Sequence, residues 1–293
     1  MSARAGYLRR DAEKISGSLP PLLVEAEKLV STLAIGVHGR RRSGIGETFW
    51  QYRPAQPGDS LGQIDWRRSA RSDRLYIREM EWEAAESVVI WCDRAQSMDF
   101  SSDAVDWTKA DRARLLALAT TVLLNRGGER FGLLGTDAER PRSGETQMMR
   151  IAALLDMALA GSPDFGAPPR GEMPKAGKAI FFSDFMGPRD QVFPALLNAA
   201  GQGTGGVFVM ILDPQEETFP FAGRTRFESV ARQVRHETDE AAGLRSAYLE
   251  RLEERRQDLT AVAARAGWQL LIHRTDESPR KPLVKLHAIL GGT

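Results

Sequence analysis

Apolar positions along the chain follow two periods, and the change between them divides it. Residues 1–18 are mostly polar, which predicts a loose segment. After Pro20-Pro21, residues Leu22, Leu23, Ala26, Leu29, Val30 and Leu33 recur at i, i+3, i+4 and i+7. That spacing predicts one amphipathic helix opened by proline. From Gly36 the helical period is lost, and Gly36, Gly39, Gly44 and Gly46 punctuate an arginine run, as in loops and tight turns. Thr48 to Arg53 predicts a strand, Pro54 to Gly58 a turn, and the alternation from Asp73 to Trp82 a second, half-buried strand. Residues 36–85 therefore read as a small β-rich subdomain between an N-terminal tail with its helix (1–35) and the remainder (86–293).

Beyond Ala85 unbroken apolar runs alternate with helical stretches. Strands are expected at Ser87–Cys92, Arg130–Gly135, Lys178–Ser183, Val207–Leu212 and Trp268–Ile272. Helices are expected at Thr108–Asn125, Glu145–Leu159, Gln191–Ala200, Asp239–Ala266 and Lys281–Leu290, with a Pro/Gly-rich connection from Gly161 to Gly177. Strands that are apolar on both faces and separated by helices predict a doubly wound α/β domain with a mostly parallel sheet.

Composition narrows the function classes. With 293 residues, 42% of them hydrophobic, the chain can bury a core without disulfides or a structural metal. Its single cysteine, Cys92, excludes an internal disulfide framework and a multi-cysteine zinc site. No apolar run reaches the roughly 18 residues of a membrane-spanning helix. No apolar leader precedes the charged stretch from Arg9 to Lys14, so the expected compartment is the cytoplasm. Forty basic against 39 acidic side chains argue against a globally charged binder of nucleic acid or membrane. Locally the balance breaks: nine arginines and no lysine lie between His38 and Arg78, against Glu47, Asp59, Asp65 and Asp73. This stretch reads as a solvated face, or as a docking surface that uses the guanidinium fork.

Sequence motifs exclude more than they assign. Gly201-Gln-Gly-Thr-Gly-Gly206 matches a dinucleotide fingerprint by letters but closes a helix and opens a strand, so it reads as a helix cap and turn. There is no P-loop, H-E-x-x-H or G-x-S-x-G elbow. Cys92 lies within an apolar strand and reads as a small buried hydrophobe.

The acids are more informative. Four expected strands end at or beside a polar residue: Asp93, Thr136-Asp137, Asp184 and Asp213. Open parallel sheets bind ligands outside the carboxyl ends of their strands. Asp93 and Ser97 could offer a carboxylate and a hydroxyl to a hard cation.

Several pieces together resemble the domain-of-unknown-function-58 family. They are Gly39-Arg-Arg-Arg-Ser-Gly-Ile-Gly-Glu-Thr-Phe49, Tyr52-Arg-Pro54, Pro57-Gly-Asp59, Ile64-Asp-Trp66-Arg-Arg-Ser-Ala-Arg71 and Leu75-Tyr-Ile-Arg-Glu79. Asp59, Asp65, Trp66 and Arg71 mark this structural signature. The following strand with Asp93…Ser97-Met98 is similar to that family's von Willebrand factor A-like domain. The resemblance implies a sheet that binds other proteins and a metal-ion-dependent adhesion site. Carried over, Asp93 and Ser97 match the first and last positions of that site's Asp-x-Ser-x-Ser motif, and Asp184 matches its later aspartate. The middle serine is Ala95, and the Gly161–Gly177 connection supplies no matching threonine, so the expectation is no cofactor or a weakly bound magnesium ion. The resemblance also implies a MoxR-type AAA+ ATPase as partner.

The expected function is a non-enzymatic interaction module, an adaptor for such an ATPase in protein assembly or remodelling. Arg94, Thr136 and Asp213 are its candidate partner-binding residues. Arg94 either grips a partner carboxylate through its guanidinium fork or neutralises Asp93 or Asp184 internally. The alternatives are a metal-dependent hydrolase using Asp93, Asp184 and Asp213, with Asp59 or Asp65 as base, and a nucleic-acid binder that stacks bases on Trp50, Tyr52 and Trp66. Against the second alternative, those aromatics read as the core of the small subdomain.

Overall fold

A computed structural model describes residues 21–33, 43–60, 62, 64–72, 74–81, 85–157, 162–175, 177–230 and 235–291, without the side chains of 43–51 and 78–81. The expected polar tail, the arginines at 40–42 and the Trp50 side chain lie outside it. The chain forms two compact units. One comprises the N-terminal helix with the region from Glu86 onward, and the other spans Ile35–Ala85.

The larger unit is built on five strands, all parallel: β3 (Ser87–Cys92), β4 (Arg130–Leu133), β5 (Lys178–Ser183), β6 (Gly205–Leu212) and β9 (Gln269–Arg274). Their order is β4-β3-β5-β6-β9. Of these, β3, β5 and β6 are almost wholly buried, as expected of runs with no polar alternation. Helices cover both faces, giving a mixed α/β architecture of the doubly wound kind. On one face lies α3 (Lys109–Arg126), opened by Thr108 and Asp111 in a capping box. It is apolar nearly all round because α1 (Pro21–Ser31), α4 (Glu145–Asp156) and α8 (Arg280–Gly291) pack on its outer side. On the other face α5 (Arg189–Ala200) and α7 (Arg245–Arg265) enclose a core of Trp91, Phe181, Phe185, Phe208 and Trp268. Their rings meet edge-on or tilted at centroid distances of 4.8–6.4 Å.

The Gly201–Gly206 run is the turn its context predicted. Gly201 caps α5, Gly203 takes a φ of +76°, and β6 starts at Gly205. The apolar pattern offered no reading for residues 214–238. They form a short helix α6 (Pro214–Thr218) and a two-stranded ribbon, β7 (Thr225–Glu228) with β8 (Arg235–Thr238).

In the smaller unit β1 (Ser43–Pro54) pairs antiparallel with β2 (Tyr76–Glu81). Here β1 begins before the expected Thr48, because Gly44 and Gly46 sit in a strand whose register shifts between Gly44 and Phe49. Such bulges accept glycine. A four-residue helix, α2 (Trp66–Ser69), precedes β2. No helix among the described residues is long and apolar enough to cross a membrane.

Candidate functional site

In the larger sheet the chain leaves β3 to form β4 on one side and returns to form β5 on the other. This is the topological switch point, where open α/β sheets form their ligand crevices. Asp93 and Asp184 follow directly on β3 and β5, so their carboxylates meet at that crevice.

Asp93 is 2% exposed, and its own chain satisfies it. Its Oδ1 accepts the Ala95 amide at 2.9 Å, and its Oδ2 accepts the Ser183 hydroxyl at 2.6 Å. Ser183 Oγ in turn accepts the amide of Phe185. Burial, then the nearby Asp184 charge, push the Asp93 carboxyl up to about 6. The segment after α4 closes over this end of the sheet: Gln96 N donates to Pro163 O and Ser97 N to Asp164 O. Backbone approaches so closely at Gly166 that a Cβ there would lie 2.0 Å from Asp93 Oδ1.

Beside Asp93 the site holds a cation of its own. Lys109, the first residue of α3, is 2% exposed. Its Nζ donates to Asp184 Oδ2 at 2.8 Å and to Glu216 Oε1 at 2.6 Å. The remaining oxygens of both acids are engaged by backbone: Met186 N donates to Asp184 Oδ1, and Asp213 N to Glu216 Oε2. Burial works against the Lys109 charge, but the two carboxylates outweigh it and hold the ammonium above its ordinary value. Burial raises the Glu216 carboxyl, against the pull of Lys109.

Over this ion cluster opens a pocket of about 250 Å³. Its floor includes Ser97, Lys109, Asp184 and Glu216, and its walls are aromatic: Phe100, Phe165, Phe219, Phe221, Phe227 and Tyr248. Phe219 is the hub of those walls, with ring centroids 5.2, 5.5 and 4.8 Å from Phe221, Phe227 and Tyr248. It caps α6 at a φ of +43°, a left-handed conformation uncommon outside glycine, and is held there by this packing. Ser97 is 8% exposed, and its hydroxyl has no hydrogen-bond partner among the described residues.

Thus the structure gathers Asp93, Ser97 and Asp184 at one edge, while Asp213, Arg94 and Thr136 make local contacts. Asp213 is fully buried and accepts the amides of Gln215 and Ser102, so it caps α6 and ties down a loop. The Arg94 guanidinium turns to the carbonyl of Met157, and the cation that pairs with Asp184 is Lys109. Thr136 serves its own turn, donating to Leu133 O and accepting from Ala138 N.

The donor set does not suit a divalent ion. Asp184 is occupied by an ammonium, Asp93 by a hydroxyl and an amide, and Ala95 offers no oxygen. A hard cation wants about six oxygens, and among the described residues no group of three or more His, Cys, Asp or Glu side chains could hold a metal.

In the smaller unit the signature residues make local contacts. Arg53 grips Asp59 through two 2.7 Å hydrogen bonds, and Gln56 N adds a third donor. Together these hold the Asp59 carboxyl at about 2. Asp65 caps α2, accepting Arg68 N at 2.8 Å and the Tyr52 hydroxyl at 3.2 Å. Trp66 is 60% exposed and Tyr52 39% exposed, so neither is the subdomain core expected of them. Arg67, Arg68, Arg71 and Arg74 are also exposed.

Lys109 and Glu216 were missed by the sequence reading, although both left signals. Asp213-Pro-Gln-Glu216 has the spacing of a capping box with proline at the first helical position. Lys109 stands at a helix N-terminus, where the dipole disfavours a cation unless acids face it.

Comparison with known proteins agrees with the signature. Residues 51–258 match the family model described as protein of unknown function DUF58. An uncharacterized protein of Mycobacterium bovis is 26% identical over 297 aligned residues, covering 95% of this chain and 90% of its own length. Uncharacterized proteins from two Mycobacterium tuberculosis strains match to the same extent. No solved structure matches significantly.

Proposed function

Since the chain belongs to the DUF58 family, we propose that it is a non-enzymatic protein-interaction module whose larger unit is a von Willebrand factor A-like domain. Its role is that of an adaptor for a MoxR-type AAA+ ATPase in the assembly or remodelling of other proteins. The observation that carries this reading is the aromatic-walled pocket over a buried, internally paired ion cluster at the carboxyl edge of the sheet. Such a site can hold an apolar side chain of a partner and presents no activated nucleophile. Burial pushes the Cys92 thiol up to about 12 and, with Arg112 adding to it, holds His273 neutral, down at about 3. Neither is poised to attack or to shuttle protons at neutral pH.

The hydrolase alternative finds less support. Asp184 is taken up by Lys109 and Asp213 by two backbone amides, while Asp59 and Asp65 are held by Arg53, Tyr52 and backbone. Exposed Trp66 and Tyr52 among arginines favour a second binding surface on the smaller unit.

Co-expression with the MoxR-type ATPase of the same organism tests the proposal. Co-elution of the two proteins, weakened by Phe227→Ala in the pocket wall, is expected. Separate elution at micromolar concentrations, with turnover of a phosphoester or salt-dependent retention on DNA, would replace this reading by one of the alternatives.

A further inference from the structure

The ion cluster at the switch point is built on one ammonium that faces two carboxylates, with Lys109 and Asp184 each 2% exposed. Ionised groups are not left unpaired at such depth, because desolvation costs several kcal/mol per ion. Lys109 bears a further cost, since it stands at the N-terminus of an 18-residue helix whose dipole opposes a cation. The two facing carboxylates offset that cost and fix a positive charge at that one point.

The residues around it would otherwise suit a divalent ion in part. Asp184 Oδ2 and Glu216 Oε1 point at a common centre, at 2.8 and 2.6 Å from Nζ. Ser97 Oγ, buried and without a hydrogen-bond partner among the described residues, lines the same pocket. The other carboxylate oxygens are fixed by backbone amides, so the acids cannot swing away when the cation is removed.

We propose that Lys109 is the resident cation of this site: its ammonium stands permanently where a divalent ion would sit, so the site is complete without metal, and a latent divalent-ion site appears when the lysine is shortened. The proposal concerns this chain alone and holds whether or not the chain binds an ATPase.

Thermal unfolding of the full-length protein, with and without millimolar magnesium, manganese or calcium, tests it, with calorimetric titration of the same ions. Wild-type protein is expected to show no shift and a flat isotherm. Lys109→Ser, which removes the ammonium and opens space, is expected to melt well below wild type. A divalent ion should then restore about 5–10 °C at a hundredfold excess over its Kd. Lys109→Met removes the charge but fills the space, so it is expected to melt low and to stay unresponsive to ions. Pairing it with Glu216→Gln, which removes one facing charge, should recover part of the loss. Saturable stabilisation of the wild-type protein by any of the ions would overturn the proposal. So would a Lys109→Ser protein that gains nothing from all three, folded or not, or a Lys109→Met protein as stable as wild type.

Discussion

Two aspartates in the two units show how placement decides what a carboxylate does. Asp59 lies in a turn of the smaller unit, where a guanidinium and a backbone amide reach it from solvent-facing positions, and its carboxyl is held at about 2. Asp93 lies at the end of a fully buried strand, with a hydroxyl and an amide for company and Asp184 nearby, and its carboxyl is raised to about 6. Near the surface, ionised donors outweigh desolvation; at the strand end, desolvation outweighs neutral donors. The larger unit therefore keeps its charges inside and needs Lys109 to balance them. The smaller unit uses its charges to fix local geometry and, among the described residues, leaves Trp66, Arg67, Arg68, Arg71 and Arg74 exposed.

The contrast can be broken most forcefully at Lys109. Removing one partner of a buried pair costs about 3–5 kcal/mol, so Lys109→Met should lower the melting temperature by on the order of 10 °C, as scanning calorimetry would record. Next comes Asp93→Asn, which keeps an acceptor for Ala95 N but turns an amide donor toward Ser183 Oγ, whose hydroxyl then loses its acceptor. Because the Asp93 carboxyl is raised from 3.8 to about 6, its contribution to stability is full below pH 3.8 and is lost as pH rises through 6. The amide that replaces it does not titrate. The stability of the variant relative to wild type should therefore be on the order of 2–3 kcal/mol more favourable at pH 8 than at pH 4, on top of a pH-independent loss from the Ser183 hydroxyl. Denaturant titrations at the two pH values check it, and a pH-independent difference would contradict the buried ionisation.

In the smaller unit the effects should be smaller. Asp65→Ala removes the cap of α2 and should cost about 1 kcal/mol, read as a shift in the denaturant midpoint of that unit. Trp66→Ala should change stability by no more than about 0.5 kcal/mol, since the ring is mostly exposed. Any loss of ATPase co-elution in that variant would then report on binding rather than folding. A large loss of stability would instead place Trp66 in a buried contact.

Much of the fold was legible because it rests on composition over short windows. The unbroken runs at Ser87–Cys92 and Lys178–Ser183 could only be buried strands, and the acids that end them had to lie at the ligand-binding edge. Partnership at that edge was not legible. Lys109 lies 75 residues before Asp184 and 107 before Glu216 in sequence, and neither periodicity nor spacing links residues that far apart. The ribbon of β7 and β8 was also opaque: Thr225–Glu228 alternates over only four residues, too few to separate a strand from a loop. The β-rich subdomain was legible as strands but not in its exposure, because a tryptophan in a strand-rich segment reads as core until the short helix α2 turns it outward.

The close approach of Gly166 to Asp93 has a genetic consequence. A methyl group at position 166 and the carboxylate at position 93 would compete for the same space, with only 2.0 Å between their atoms. In a library of random variants, Gly166→Ala should therefore score as defective. Second-site revertants should collect at codon 93, where Asp93→Gly or Asp93→Ala empties that space, rather than scatter over the rest of the chain.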